Sequence, residues 1–379
     1  MLEKGLSGSK WYWGWMGLLV AIMAIGLTSY FRETEVALSN DVPWGILIGQ
    51  YVFFVGVAAS AVMVLLPYYL HNYKAFGRMT IFGELLAVVA VMMTGLFILA
   101  DMGQPKRFFN LFFHPSPSSV LFWTSSALTI YMLLNILIGW TVLGAEHKTV
   151  PPPAWIKPFI YISIPWAFSI HTTTAFVFAG LAGKPLWLTA LMAARFLASA
   201  FASGPALLII LCLIIKRLAR FDVGREALQT LAKIVTYAMI ASVFFFGLEL
   251  FTAFYSQIPT HMFPFRYLFF GYEGYGKLAL VMWASYLLAV LALNLLIIPR
   301  TRQMEDTLMV GCVATFISIL LEKGFGLVVG GFVPNPFEKV TEYWPTLSEM
   351  LINVGIWALG ALLLTFLYKI AVGVKVEVE

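Results

Sequence analysis

Long apolar runs alternate with short polar interruptions along the chain, and the runs carry its organisation. Trp11 to Leu27 is the first run, while Leu85 to Ala100 and Val120 to Trp140 flank the densest polar interruption. A helix rises about 1.5 Å per residue and needs about 20 apolar residues to cross the hydrocarbon of a bilayer. On that criterion the sequence predicts about ten spans, near 12–30, 45–70, 77–101, 118–144, 157–181, 192–218, 228–254, 274–298, 307–331 and 347–370. In lipid the backbone must pair within its own segment, so the fold class expected is an all-α polytopic membrane protein. Pro165, Pro185 and Pro205 interrupt the stretch from Ala154 to Pro205, where a short surface helix around Leu186 to Leu191 is expected.

Composition agrees with the pattern. Of 379 residues 61% are hydrophobic and 11% charged, and the mean hydropathy of +0.87 excludes a soluble globular domain. No small-residue cleavage site follows the first run, which is therefore expected to be retained as a span. The net charge of +5 does not point to nucleic acid, because membrane proteins gather Lys and Arg in cytoplasmic loops. With the N-terminus inside, the cytoplasmic segments hold fourteen Lys and Arg, from Lys4 and Lys10 to Lys369 and Lys375. The opposite loops hold half as many (Arg32, Lys106, Arg107, Lys184, Arg266, Lys277 and Lys339), beside Glu33, Glu35, Asp41, Glu338 and Glu342. A multi-pass protein of the cell membrane with both termini cytoplasmic is the expectation. Cys212 and Cys312, both inside apolar runs, leave no iron–sulfur cluster ligated by this chain alone and no disulfide framework.

An internal echo suggests a repeat. Arg107-Phe-Phe-Asn-Leu-Phe-Phe113 follows the third span and Arg266-Tyr-Leu-Phe-Phe270 follows the seventh. An offset of four spans, an even number, makes the copies parallel, as two four-helix bundles related by an axis along the membrane normal. The expected units are 1–40 (a flanking span and outer loop), 41–182 (first bundle), 183–332 (second bundle) and 333–379 (a C-terminal flanking span).

Chemistry is expected around the interruption Asp101-Met-Gly-Gln-Pro-Lys-Arg107, with its continuation to Ser119, since it sets an acid, an amide and cations beside the bilayer. Charged or titratable groups inside spans are costly and tend to mark ligand or proton routes; here they are Glu84, His171, Arg195, Glu249, Glu322 and Lys323. A neutral imidazole at His171 suits a quinone oxygen or a proton relay, or else a bond to a neighbouring helix. Glu84 and Glu249 are each either relay carboxyls or packed acids. Glu322 and Lys323 are adjacent and should point in different directions, and Arg195 is expected to reach for the outer surface. Haem would need paired histidines, but His71, His114, His147 and His261 fall in or near loops, so none is expected. The aromatics of the Arg107 and Arg266 loops should be covered by partner protein or lipid.

The stretch Pro43-Trp-Gly45 with Gly49-Gln-Tyr-Val-Phe-Phe-Val-Gly56, the Asp101 to Arg107 loop with Pro115-Ser-Pro-Ser118, and His171-Thr172 resemble the NrfD/PsrC family. These are quinone-interacting membrane subunits of polysulfide-reductase-like complexes. The resemblance spans roughly 40–330 and is finest toward the ten-span DsrP-type subunits of the DsrMKJOP complexes of sulfate reducers, also called Hdr-like menaquinol-oxidising enzymes. It implies a chain with no haem or iron–sulfur cluster of its own. Such a chain holds menaquinone or menaquinol beside an iron–sulfur, ferredoxin-like subunit on the outer face, with further cytochrome and Hdr-like subunits. Carried over by position, the site would comprise Trp44, Gln50 and Tyr51, then Asp101, Gln104 and Arg107, and His171. The polar pair of an Asn and a His that the family carries at the start of the corresponding helix is absent, Gln50 being the nearest polar residue.

The leading expectation is therefore a menaquinol oxidoreductase subunit passing electrons to the iron–sulfur partner. His171 would bond a hydroxyl, Asp101 would lead protons outward, and Arg107 would hold Asp101 ionised. Two other readings stand beside it: a structural membrane anchor for redox partners, and a redox-coupled proton-translocating subunit with Glu84 and Glu249 as relay groups.

Overall fold

The computed structural model describes residues 8–32, 37–181, 183–333, 335 and 339–378. Lys4, Glu33, Glu35 and Glu338 of the charge count lie outside them, as does Ala182, the expected boundary between the bundles. Among the described residues ten helices are long and apolar enough to cross a membrane: α1 (Lys10–Arg32), α2 (Ile46–Leu70), α3 (Thr80–Asp101), α4 (Val120–His147), α5 (Ala154–Ala179), α6 (Met192–Ala219), α7 (Arg225–Ser256), α8 (Lys277–Ile297), α9 (Glu305–Phe332) and α10 (Leu347–Glu377).

Helices α2 to α5 close one ring, α2 on α3, α3 on α4, α4 on α5 and α5 back on α2. Helices α6 to α9 close a second ring in the same way. The rings meet along a seam where α2 packs on α6 and α9, and α6 packs on α5. The α2–α9 contact is answered by α6–α5, as a parallel repeat requires. Helix α10 lies against α3 and α4 and carries α1 on its outer side.

The seam explains why α2 shows no polar face. From Ile46 to Ala58 every residue but Ile48 is buried, so the helix is apolar all round. Close approach is set by small residues: a Cβ on Gly49 would stand 2.7 Å from Gly324 Cα, and one on Gly204 would stand 2.9 Å from the Val57 carbonyl.

Two backbone irregularities sit on this seam. Helix α2 breaks at Ala59, where the Tyr131 hydroxyl donates to the Ala58 carbonyl at 3.2 Å. Helix α9 loosens into a π-helix over Glu322–Val329, and Trp187 Nε1 donates to the Leu327 carbonyl at 2.7 Å. Irregular backbone at membrane depth persists only where protein re-satisfies it, and π segments recur at functional sites.

The stretch Leu186 to Leu191 forms turns anchored by buried Trp187 rather than the surface helix expected, because the indole is spent on the α9 carbonyl. The Arg107 loop folds as short helical turns (Pro105–Phe109, Asn110–Phe113), and the Arg266 loop as a helix (Pro259–Phe270). They differ in exposure. Phe109, Phe112 and Phe113 stand out from the first loop, whereas Tyr267 and Leu268 of the second are buried and Phe270 is its exposed aromatic.

A strap from 339 to 346 crosses the face opposite the termini. Asp41 accepts from Thr341 Oγ1 at 2.7 Å and from Asn335 Nδ2 at 3.3 Å, and the Ile46 amide donates to the Tyr343 hydroxyl at 2.9 Å. Glu342 accepts from the Lys277 amide at 2.8 Å and the Tyr267 hydroxyl at 3.2 Å, so one strap touches both rings. Thr346 and Glu349 then form a reciprocal cap on α10.

Candidate functional site

Trp44 opens α2 at the mouth of the seam. It stacks on Trp187 (5.8 Å between centroids) and meets Phe178 and Phe332 edge-on, each at 5.6 Å. Lys184 Nζ lies 4.4 Å from the centre of the Phe332 ring. One aromatic wall therefore draws on α2, α5, the turn before α6 and the end of α9.

Deeper along the seam the side chains turn polar. His171 on α5 is wholly buried, and neither ring nitrogen has a hydrogen-bond partner. Phe201 meets the imidazole edge-on at 6.4 Å, and the charge nearest to it in effect is Lys323 of α9. Lys323 Nζ, buried and without a hydrogen-bond acceptor, lies 4.6 Å from the centre of the Phe196 ring. Gly56 makes room for it: a Cβ there would stand 3.3 Å from Lys323 Nζ and 3.5 Å from Ser203 Oγ. The hydroxyls of Ser60 and Ser203 are buried and equally unpartnered. Tyr51 lies beside Thr174, one turn from His171 on the same face of α5.

Each such unpaired neutral group costs about 1–3 kcal/mol and a charged one more, and four of them lie along this seam. The set is rich in donors and has no carboxylate, because Glu322, adjacent to Lys323, turns the other way into Arg195. An ammonium, two hydroxyls and an imidazole suit an acceptor oxygen on a flat ring, and the aromatic wall supplies an apolar approach to them.

The other sequence candidates lie elsewhere. Asp101 ends α3 and has Glu349 of α10, a second acid, as its charged neighbour. Gln104 and Arg107 are exposed, and among the described residues Arg107 forms no ion pair with Asp101. Gln50 is buried but its Oε1 accepts from Trp357 Nε1 at 3.2 Å, which commits it to the α2–α10 contact. Trp44, Tyr51 and His171 thus lie along the seam, while Asp101 ends α3 within electrostatic range of Tyr343 at the start of α2, and Gln104 and Arg107 are exposed.

The second ring holds its own ionic cluster. Arg195 does not reach the surface; buried, it donates to both Glu249 and Glu322. Two acids on two other helices, desolvated with it, explain the departure from the expected outward course. Beside it a cavity of about 20 Å³, lined by Ser199, Ser285, Tyr286, Glu322 and Lys323 among others, offers about the room one water needs. Glu84, by contrast, is buried in the first ring with neither carboxyl oxygen partnered. Among the described residues no three His, Cys, Asp or Glu side chains gather as metal ligands would.

Sequence reasoning named His171 and Lys323 separately and did not join them; Ser60, Ser203 and Trp187 it missed. The one available signal was the density of small residues around both serines, Gly56 to Ala61 and Ala198 to Ala206, which marks a close helix crossing.

Residues 34–334 match the family described as polysulphide reductase, NrfD. A membrane subunit of a putative dimethyl sulfoxide reductase of Halobacterium salinarum is 24% identical over 92% of this chain and 89% of its own length. A selenate reductase subunit of Mesobacillus selenatarsenatis is 23% identical over 92% of this chain and 91% of its own. An Hdr-like menaquinol oxidoreductase integral membrane subunit of Archaeoglobus fulgidus is 23% identical over 63% of this chain and 60% of its own.

Proposed function

We propose that this chain, which belongs to the NrfD polysulphide reductase family, is the membrane subunit through which a redox complex exchanges electrons with menaquinone and menaquinol. In the reading favoured here it oxidises menaquinol and hands the electrons to an iron–sulfur, ferredoxin-like subunit on the outer face. Further cytochrome and Hdr-like subunits complete a DsrP-type assembly, in line with the name borne by the Archaeoglobus relative. The Lys and Arg bias of the loops supports a cytoplasmic membrane location with both termini cytoplasmic. On this reading the unit 41–182 carries the site, 183–332 lends it Ser203 and Lys323, and the spans of 1–40 and 333–379 flank.

The observation that carries the reading is that four buried groups on the seam, His171, Lys323, Ser60 and Ser203, are unpartnered below an aromatic wall. The bound quinol supplies two electrons and two protons. His171 bonds one ring oxygen and is the group able to take a proton from it. Lys323 donates to an oxygen and stabilises negative charge on it. Trp44 and Phe178 hold the ring and keep water out. Asp101, next to Glu349, keeps a role at the outer end of α3 only if protons leave on that side.

Purified complex supplied with reduced quinol tests the proposal. Electron flow that the quinone analogue HQNO blocks is the expected result. If HQNO neither binds nor blocks, the chain is a structural anchor for its redox partners.

A further inference from the structure

The first ring contains a file of buried polar groups that quinol binding leaves unused. Glu84 on α3 lies against α4 at Gly139, where a Cβ would stand 3.2 Å from its Oε2, so the glycine leaves room for the carboxyl to approach closely. One turn along the same face of α4, Asn135 donates to the Tyr131 carbonyl at 2.8 Å and leaves its own oxygen unpartnered. Two turns the other way, Glu146 accepts from Lys375 Nζ at 3.1 Å and leaves Oε2 unpartnered. Tyr69, near the end of α2, lies within electrostatic reach of both acids. Toward the seam, Glu84 is a charge neighbour of Tyr131, whose hydroxyl reaches the α2 break two residues before Ser60.

We infer that Glu146, Tyr69, Glu84, Tyr131 and Ser60 form a proton path between the quinone site and the face that carries the termini, with Glu84 as its carrier carboxyl. The inference rests on the quinone reading for what the path serves. Oxidation of one quinol releases two electrons and two protons. The electrons leave toward the iron–sulfur partner, and for each proton the neutral Glu84 carboxyl first gives its own proton on to Glu146 and then takes one from the quinone site, which returns Glu84 to its protonated starting state. Electrons and protons then depart on opposite faces, so turnover moves charge across the membrane. Glu249 is no such carrier, because Arg195 holds it.

Two measurements on the assembled complex test this. In quinone-free complex moved into D2O, the infrared carboxyl band that Glu84→Gln removes should shift rapidly. Tyr69→Phe and Glu146→Gln should slow that shift roughly tenfold or more. In proteoliposomes oxidising quinol, wild type should release protons on the side of the termini. Glu84→Gln should lose that release and roughly tenfold or more of the rate, with part regained in Glu84→Asp. Rapid exchange in all variants, or release on the far side only, overturns the path. Absence of quinol oxidation in wild type with normal exchange overturns the quinone reading and leaves the path standing. If Glu84→Gln fails to assemble, Tyr69→Phe, which keeps the carboxyl, decides by its exchange rate.

Discussion

Replacing Lys323 by methionine should move stability and ligand affinity in opposite directions. Lys323 is 2% exposed and its nitrogen has no hydrogen-bond acceptor, a burial that costs an ammonium about 3 kcal/mol or more. The Phe196 face, 4.6 Å away, returns about 1–2 kcal/mol as a cation–π contact. Methionine has nearly the same length and needs no acceptor, so the fold should gain about 1–2 kcal/mol or more. Affinity should fall, because a charge-assisted hydrogen bond to the ligand is worth about 1.5–3 kcal/mol, roughly 10- to 150-fold in Kd. Thermal unfolding and HQNO titration of the same purified complex read both quantities. A variant that is clearly destabilised yet binds HQNO as wild type does would refute the reasoning, since Lys323 would then be a structural residue with a partner of its own.

Three further outcomes are expected. His171→Ala should lower quinol turnover by roughly 10²-fold with assembly intact, whereas wild-type rates would remove His171 from the chemistry. Glu249→Gln should lower stability by up to about 3–5 kcal/mol, as breaking a buried ion pair does, with HQNO affinity of the folded complex unchanged; an unaltered Tm would return Glu249 to the relay candidates. Hydrogen bonds from Thr341 and Asn335 hold Asp41 below its ordinary value of 3.8 against the opposing effect of burial, with a lesser contribution from Lys339. A depressed carboxyl stabilises the fold above its unfolded value and loses that contribution as pH falls through the folded one. Asp41→Asn should therefore flatten the acid limb of unfolding below about pH 4, and superimposable limbs would count against the strap.

The spans were legible because their signal is local. The runs expected at 77–101 and 307–331 became Thr80–Asp101 and Glu305–Phe332, and the echo between the Arg107 and Arg266 loops pointed to the parallel rings. Partner choice was not legible, because it depends on which helices meet. Arg107 is six residues from Asp101 yet points to solvent, while Lys323 acts electrostatically on His171 from the other ring. Arg195, read alone, had reason to reach for the surface, and only the packing of α6 against α7 and α9 brings Glu249 and Glu322 to it. The divergence of Glu322 from Lys323 was expected, as adjacent residues on a helix cannot share a face. The π-helix that begins there has no local sequence signature and was not anticipated.

A quinone site at the seam between the rings faces its sharpest test in a map of the assembled complex with HQNO bound. The headgroup should lie between α2, α5 and α9, beneath Trp44, with one oxygen at His171 and another at Lys323. A headgroup beside Asp101 and Gln104, or inside the second ring near Arg195, would contradict the seam as the site.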